Sequence, residues 1–135
     1  MAPTKPLVKQ QLDACHNIVG IDPQVTVELT GSKQSSRRAN DWDTKKVFFL
    51  TPQVLQSDLQ RNESLAEKIR CIVVDEAHKA VGNYSYVQVV SAVVKVNKRF
   101  RVLALTATPG NDIQEVKEHK YLESFWKLTY ENFTD

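Results

Sequence analysis

The sequence predicts an α/β domain with a mainly parallel sheet, on three observations. Short apolar runs alternate along the chain with longer segments of helical period. The strongest runs, such as "CIVV" and "VLAL", carry no polar alternation, so they read as strands covered on both faces. Three runs end in polar groups, Thr51-Pro52-Gln53, Asp75-Glu76-Ala77-His78 and Thr106-Ala107-Thr108, and a parallel sheet brings such ends to one edge. At 135 residues the chain makes one domain at most, with length enough for a real core.

The elements follow in order. "TKPLVKQQLDACHNIV" places Leu7, Val8, Leu12, Cys15, Ile18 and Val19 at helical spacing, with Thr4 available as a cap and Gly20 as a stop. "VTVEL", residues 25–29, is a short strand. "TGSKQSSRRAND" opens as a polar loop whose later half can form a helix reaching Trp42. "KVFFLTP", residues 46–52, is a second strand ended by a Thr-Pro break, and "PQVLQSDLQ" is a helix with Pro52 at its first position. The strand "CIVVD" comes next. "YSYVQVVSAVVKV" is two-sided: its valines favour a strand locally, while its length and the spacing of Val87, Val90 and Val94 favour a helix. A helix here also supplies the crossover a parallel sheet needs. "RVLALTATPG", residues 101–110, is a last buried strand that runs into a polar turn.

Composition excludes several classes. The chain is 41% hydrophobic and 25% charged, as ordinary globular domains are. No apolar run approaches the ~20 residues that cross a bilayer, and "MAPTKPLVKQ" lacks the apolar stretch of a secretory signal. Cys15 and Cys71 are far apart and read as reduced thiols; His16, His78 and His119 have no metal-ligand spacing. Sequons begin at Asn62, Asn83 and Asn132 and are taken as chance matches. The net charge of +2 is split, +5 over residues 1–110 and −3 over 111–135. A mildly basic first part suits a polyanion partner, although a solvated mixed-charge surface gives the same count.

Asp75 and Glu76 are the chemical core of the reading. A carboxylate pair at the end of a buried strand suits a magnesium ion, one acid holding the metal through water and the other orienting or deprotonating an attacking water. A histidine two residues on, His78, can relay the state of the site. A Glu after a strand can equally be the first turn of a helix, helped by the dipole.

The order of these segments resembles superfamily 2 DEAH-box helicases and translocases. "VVDEAH" followed by "LALTATPG" is similar to motifs II and III of that superfamily. "APTKPLVKQQ" is similar to motif Ia, and "LTGS" and "FLTPQVLQSDL" to the next two nucleic-acid motifs. The wording is most similar to the Fanconi anaemia group M branch, ATP-driven translocases of branched DNA in DNA repair, and the match runs from Met1 to about Val116.

The resemblance implies a partial RecA-like domain of the P-loop NTPase type, three-layered, over residues 1–116, followed by a divergent tail over 117–135. It implies that Asp75 coordinates the magnesium of Mg-ATP and that Glu76 is the general base. His78, Thr106, Ala107 and Thr108 would couple the nucleotide site to DNA and to a second RecA-like lobe. Thr4, Lys5, Pro6, Gly31, Ser32, Thr51, Pro52 and Gln53 would meet the phosphate backbone of branched or single-stranded DNA. It implies no membrane partner, and a place in the nucleus.

One departure bears on mechanism. The family's phosphate loop, G-x-x-x-x-G-K-[ST], has no counterpart here: none of Gly20, Gly31, Gly82 and Gly110 precedes Lys-Ser/Thr. The chain alone is therefore expected not to bind Mg-ATP stably, hydrolyse it or move DNA. It reads as a first-lobe fragment, an incomplete gene model or a truncated isoform. The sheet is expected to lack the phosphate-loop strand and helix, leaving an exposed apolar edge beside the Asp75 and Thr106 strands. The alternative from another class is an ATP-independent DNA- or partner-binding module. An unrelated magnesium hydrolase fits less well, because no further acidic ligand accompanies Asp75 and Glu76.

Overall fold

A computed structural model describes residues 1–31, 34–80 and 82–106. Among them, five helices and four strands alternate: α1 (Lys5–Ala14), β1 (Thr26–Leu29), α2 (Ser35–Thr44), β2 (Val47–Leu50), α3 (Pro52–Arg61), α4 (Leu65–Lys68), β3 (Cys71–Val74), α5 (Ser85–Val96) and β4 (Arg101–Ala104). A π-helical turn over Cys15–Val19 prolongs α1, and Gly20 ends it in the left-handed region at φ 73°. Cys15 and Cys71 are unbridged. Among the described residues no helix is long and apolar enough to cross a membrane.

The strands pair in parallel. β1 runs beside β2 with Thr26 opposite Val47 and Leu29 opposite Leu50; β3 runs beside β4 with Cys71 opposite Arg101 and Val74 opposite Ala104. Met1 and Ala2 join the two pairs. The Ala2 N–H donates to the Leu50 carbonyl at 3.1 Å, and the Asp75 N–H donates to the Met1 carbonyl at 2.9 Å. The Met1 amino group donates to the Val73 carbonyl at 2.6 Å. The spatial order is thus β1, β2, the Met1-Ala2 segment, β3, β4. A cavity of about 650 Å³, lined by Met1, Ala2, Phe48, Phe49, Cys71 and Ile72 among others, opens beside that segment between β2 and β3.

The two-sided valine segment is a helix, and packing explains why. Tyr86, Val89, Val90 and Val93 are fully buried on one stripe of α5, and Val94 is nearly so. Burying a valine contributes about 1.5–3 kcal/mol. A β-branched residue costs a helix no more than ~0.7 kcal/mol, so burial decides. This stripe meets Leu29, Leu50, Val54, Leu55, Ile72 and Val74 in one core. α1 lies against β1 and β2, while α3, α4 and α5 pack on one another.

Two expectations are corrected. The sequence predicts β3 and β4 covered on both faces, yet β3 alternates: Ile72 and Val74 are buried, Cys71 is exposed and Val73 is 39% exposed. Leu103 is 51% and Leu105 44% exposed. The described helices cover one face of β3 and leave the other to solvent, so the side-chain period of two appears in its burial although it is absent from composition, while in β4 only Val102 is even half-buried. Ile18 and Val19, read as part of the apolar face of the first helix, are also exposed, because the wider π-helical turn rotates them off the α1 stripe.

Candidate functional site

The first candidate region lies at the carboxyl ends of β3 and β4. Asp75 follows β3 directly and is held from several directions. Its Oδ1 accepts the Glu76 N–H at 3.0 Å, and its Oδ2 accepts an N–H of the Gln11 amide at 3.2 Å. Its carbonyl accepts the Tyr86 hydroxyl at 2.7 Å. Burial raises the Tyr86 pKa above the usual tyrosine value, reinforced by Tyr84 and by the Asp75 and Glu76 carboxylates, so the hydroxyl stays a donor at neutral pH. Burial also pushes the Met1 amino group down to about 6, with the nearby Asp75 charge acting the other way.

Glu76 adopts φ 53° and ψ 50°. It alone among the described non-glycine residues has positive φ. That conformation costs an L-residue about 1–2 kcal/mol. It turns the chain sharply out of β3 into a single helical turn, Ala77–Lys79, whose Ala77 N–H donates to the Leu105 carbonyl at 2.8 Å. The result brings His78 back over the end of β4. Its Nδ1 lies 3.1 Å from Thr106 Oγ1 and 3.3 Å from Glu76 Oε2. A proton on Nδ1 can be donated to either oxygen, so one imidazole spans the ends of both strands.

The donor set tests what metal could sit here. Asp75 and Glu76 are adjacent carboxylates, and each Asp75 oxygen keeps a lone pair beyond its one hydrogen bond. No group of three or more His, Cys, Asp or Glu side chains able to hold an ion occurs among the described residues. Magnesium takes six oxygens, so these residues fit an ion whose remaining ligands are phosphate and water rather than a free-standing protein site.

The second region is an open cleft of about 870 Å³. Thr4 and Lys5 enter from the start of α1, Gly31 from beyond β1, and Thr51 and Gln53 from the β2–α3 junction. Gln34, Ser36, Arg38, Ser57 and Arg61 complete its polar lining, which among the described residues contains no carboxylate. Pro6 and Pro52 lie outside it; Pro6 is exposed, whereas Pro52 is buried. Ser32, Ala107, Thr108 and the tail over 117–135 lie outside the described residues.

A buried ion pair braces this cleft. Arg38 Nε donates to Asp58 Oδ1 and Oδ2 at 3.1 and 2.9 Å, and Nη2 donates to Oδ1 at 2.6 Å. Trp42 Nε1 donates to Asp58 Oδ2 at 3.0 Å, and its ring stacks on Phe48 at 4.0 Å. Burial pushes the Asp58 carboxyl up, but hydrogen bonds from Arg38 and Trp42, with the Arg38 and Arg61 charges, hold it below its ordinary value. The same bond raises Arg38.

Sequence reasoning missed Gln11, Tyr86, Arg38, Trp42, Asp58, Ser57 and Arg61. The signal for Arg38 and Trp42 was their four-residue spacing on one helix, and for Ser57 and Arg61 the same spacing after Gln53. Gln11 and Tyr86 leave no local signal, since only the fold brings them to Asp75.

Comparison with known proteins completes the picture. The sequence profile described as DEAD/DEAH box helicase matches residues 1–116. The Fanconi anemia group M protein homolog of Mus musculus is 52% identical over 118 residues, a match covering 87% of this chain and 6% of that protein. The ATP-dependent DNA helicase mph1 of Sclerotinia sclerotiorum is also 52% identical over 118 residues, covering 87% of this chain and 10% of its own length. The chain therefore spans a tenth or less of these relatives. The helicase domain of Pyrococcus furiosus Hef superposes with a TM-score of 0.73 at 33% identity, over 98% of this chain and 26% of that one. Mss116p, solved with ssRNA and AMP-PNP, gives 0.65 at 18% identity over 87% of this chain and 26% of its own, a likeness of fold alone.

Proposed function

Because the chain belongs to the DEAD/DEAH box helicase family and has a partial RecA-like fold, we propose that residues 1–116 form part of the first motor lobe of an ATP-dependent DNA translocase. The substrate is branched DNA in repair, the compartment is the nucleus, and a second RecA-like lobe completes the motor. Residues 117–135 are a divergent tail outside that lobe. The observation that carries the reading is the cluster at the ends of β3 and β4, where His78 Nδ1 lies 3.1 Å from Thr106 Oγ1 beside the Asp75-Glu76 pair.

Bound Mg²⁺ supplies charge neutralisation on the triphosphate. Asp75, fixed by Gln11 and Tyr86, is the residue that holds the metal. Glu76 takes the proton from the attacking water. His78, with the Thr106 and Thr108 hydroxyls and the Ala107 backbone between them, reports the state of that site to the second lobe and to DNA. Thr4, Lys5, Pro6, Gly31, Ser32, Thr51, Pro52 and Gln53 belong to the tracking-strand interface, where hydroxyls, amides and one ammonium position a backbone without reading bases.

This sequence contains no G-x-x-x-x-G-K-[ST] loop, so these 135 residues alone do not turn over ATP. The cleft lining, without a carboxylate among the described residues, supports a second activity of the isolated chain, ATP-independent binding of DNA. Steady-state ATPase assays and fork-DNA titrations test both. The expected result is salt-dependent binding unchanged by Mg-ATP and no turnover. Turnover is expected to appear when these residues replace their counterparts in the Hef helicase domain, and to vanish with Glu76→Gln. Turnover by the isolated chain at the rate of an intact helicase, or full activity of the Glu76→Gln chimera, refutes the reading.

A further inference from the structure

Gln53, Ser57 and Arg61 stand four residues apart on α3 and line the same cleft as Lys5 and Thr51. The opposite side of α3 is core: Val54, Leu55, Asp58 and Leu59 are buried. The helix therefore presents one polar stripe to the cleft, about 12 Å long from Gln53 to Arg61.

Charge along that stripe is unbalanced. The near acid, Asp58, lies on the buried side and is hydrogen-bonded by Arg38 and Trp42, with the Arg61 charge close enough to help hold it ionised. Lys9 and Lys68 pair with Asp13 and Asp43, whereas Arg61 is exposed with no ion-pair partner among the described residues. With no carboxylate in the described cleft lining, Lys5 and Arg61, together with the Asp58-paired Arg38, make that lining net positive.

We infer that Ser57 and Arg61 form a second backbone station in the cleft, Arg61 taking a phosphate of a single DNA strand and Ser57 hydrogen-bonding the sugar-phosphate between Gln53 and Arg61. The inference rests on the DNA-binding reading of the cleft and lengthens its footprint along α3. A guanidinium in the last turn of a helix also favours the helix dipole. That role changes stability but leaves the salt dependence of binding alone.

The test is anisotropy of labelled single-stranded oligonucleotides of unrelated sequence against the full chain, titrated across salt concentrations. Each phosphate contact contributes about 0.7 to the slope of log K against log salt for a single strand. Arg61→Ala is expected to reduce the slope by that amount and weaken binding several-fold at low salt on every sequence, with no more than a small drop in melting temperature from the lost helix-end charge. Arg61→Lys is expected to restore the slope, and Ser57→Ala to weaken binding with the slope intact. Lys98→Ala, outside the cleft, is the control and is expected to match wild type. Wild-type binding with an unchanged slope in Arg61→Ala overturns the inference while the cleft reading stands. No binding by the wild-type chain overturns both.

Discussion

His78 Nδ1 lies 3.1 Å from Thr106 Oγ1, a hydrogen bond between residues that follow adjacent parallel strands. The strand ends are already joined by the Leu105 N–H to the Val74 carbonyl at 2.8 Å and the Ala77 N–H to the Leu105 carbonyl at 2.8 Å. The imidazole adds a side-chain link over this backbone link.

Replacing His78 with Ala therefore costs little global stability, under about 1 kcal/mol, because the ring is exposed. Its signature is local: faster amide exchange at Leu105 and Thr106 with the β3–β4 ladder unchanged. In a chimeric motor the same change is expected to spare basal ATP turnover within a few-fold and abolish its stimulation by DNA.

Glu76 bears the left-handed backbone at φ 53°. Asn tolerates that region better than other non-glycine residues. Glu76→Asn is expected to be about 0.5–1 kcal/mol more stable than Glu76→Gln in urea denaturation, since both lose the carboxylate contact to His78 and only one relieves the backbone. Equal stabilities would show that the strain at this residue is not released by the side chain.

Arg38 and Asp58 are both buried, at 6% exposure each. Either single change breaks a buried ion pair, so Arg38→Ala and Asp58→Ala are each expected to cost about 3–5 kcal/mol. The double change Arg38→Met with Asp58→Leu is expected to recover most of that loss. Chemical denaturation of the three variants against wild type measures the difference.

The same pair sets an acid limit. The folded Asp58 carboxyl is held below its ordinary value, so the unfolded chain binds the proton first as pH falls. The stabilisation is complete above the ordinary carboxylate pKa of ~4 and disappears as pH drops through the lower folded value. Stability profiles of wild type and of the double variant, in which both charges are replaced by apolar side chains, are expected to converge below pH ~4, the variant curve being flatter.

Much of the frame was legible because its signals are local. Pro52 after Thr51 marks the start of α3, and the polar pairs after each apolar run mark the strand ends. The run "CIVV" misled about Val73, because an apolar residue states what a strand can bury, not what neighbour it has. The α5 valines were ambiguous because a valine's own preference and its tertiary burial point to different conformations. The contact between Arg38 and Asp58 spans twenty positions, and Gln11 reaches Asp75 across 64, so no window of sequence contains either. Site chemistry carried in one stretch was readable; site support carried across the fold was not.

Met1 and Ala2 hold a position out of proportion to their size. Their three hydrogen bonds are the backbone continuity between two ribbons, and a two-stranded ribbon alone is marginal in water. Among the described residues these bonds tie Leu50 at the end of β2 to Val73 and Asp75 at the end of β3, so displacing the segment with a competing extended peptide would part the sheet at its middle rather than fray its rim.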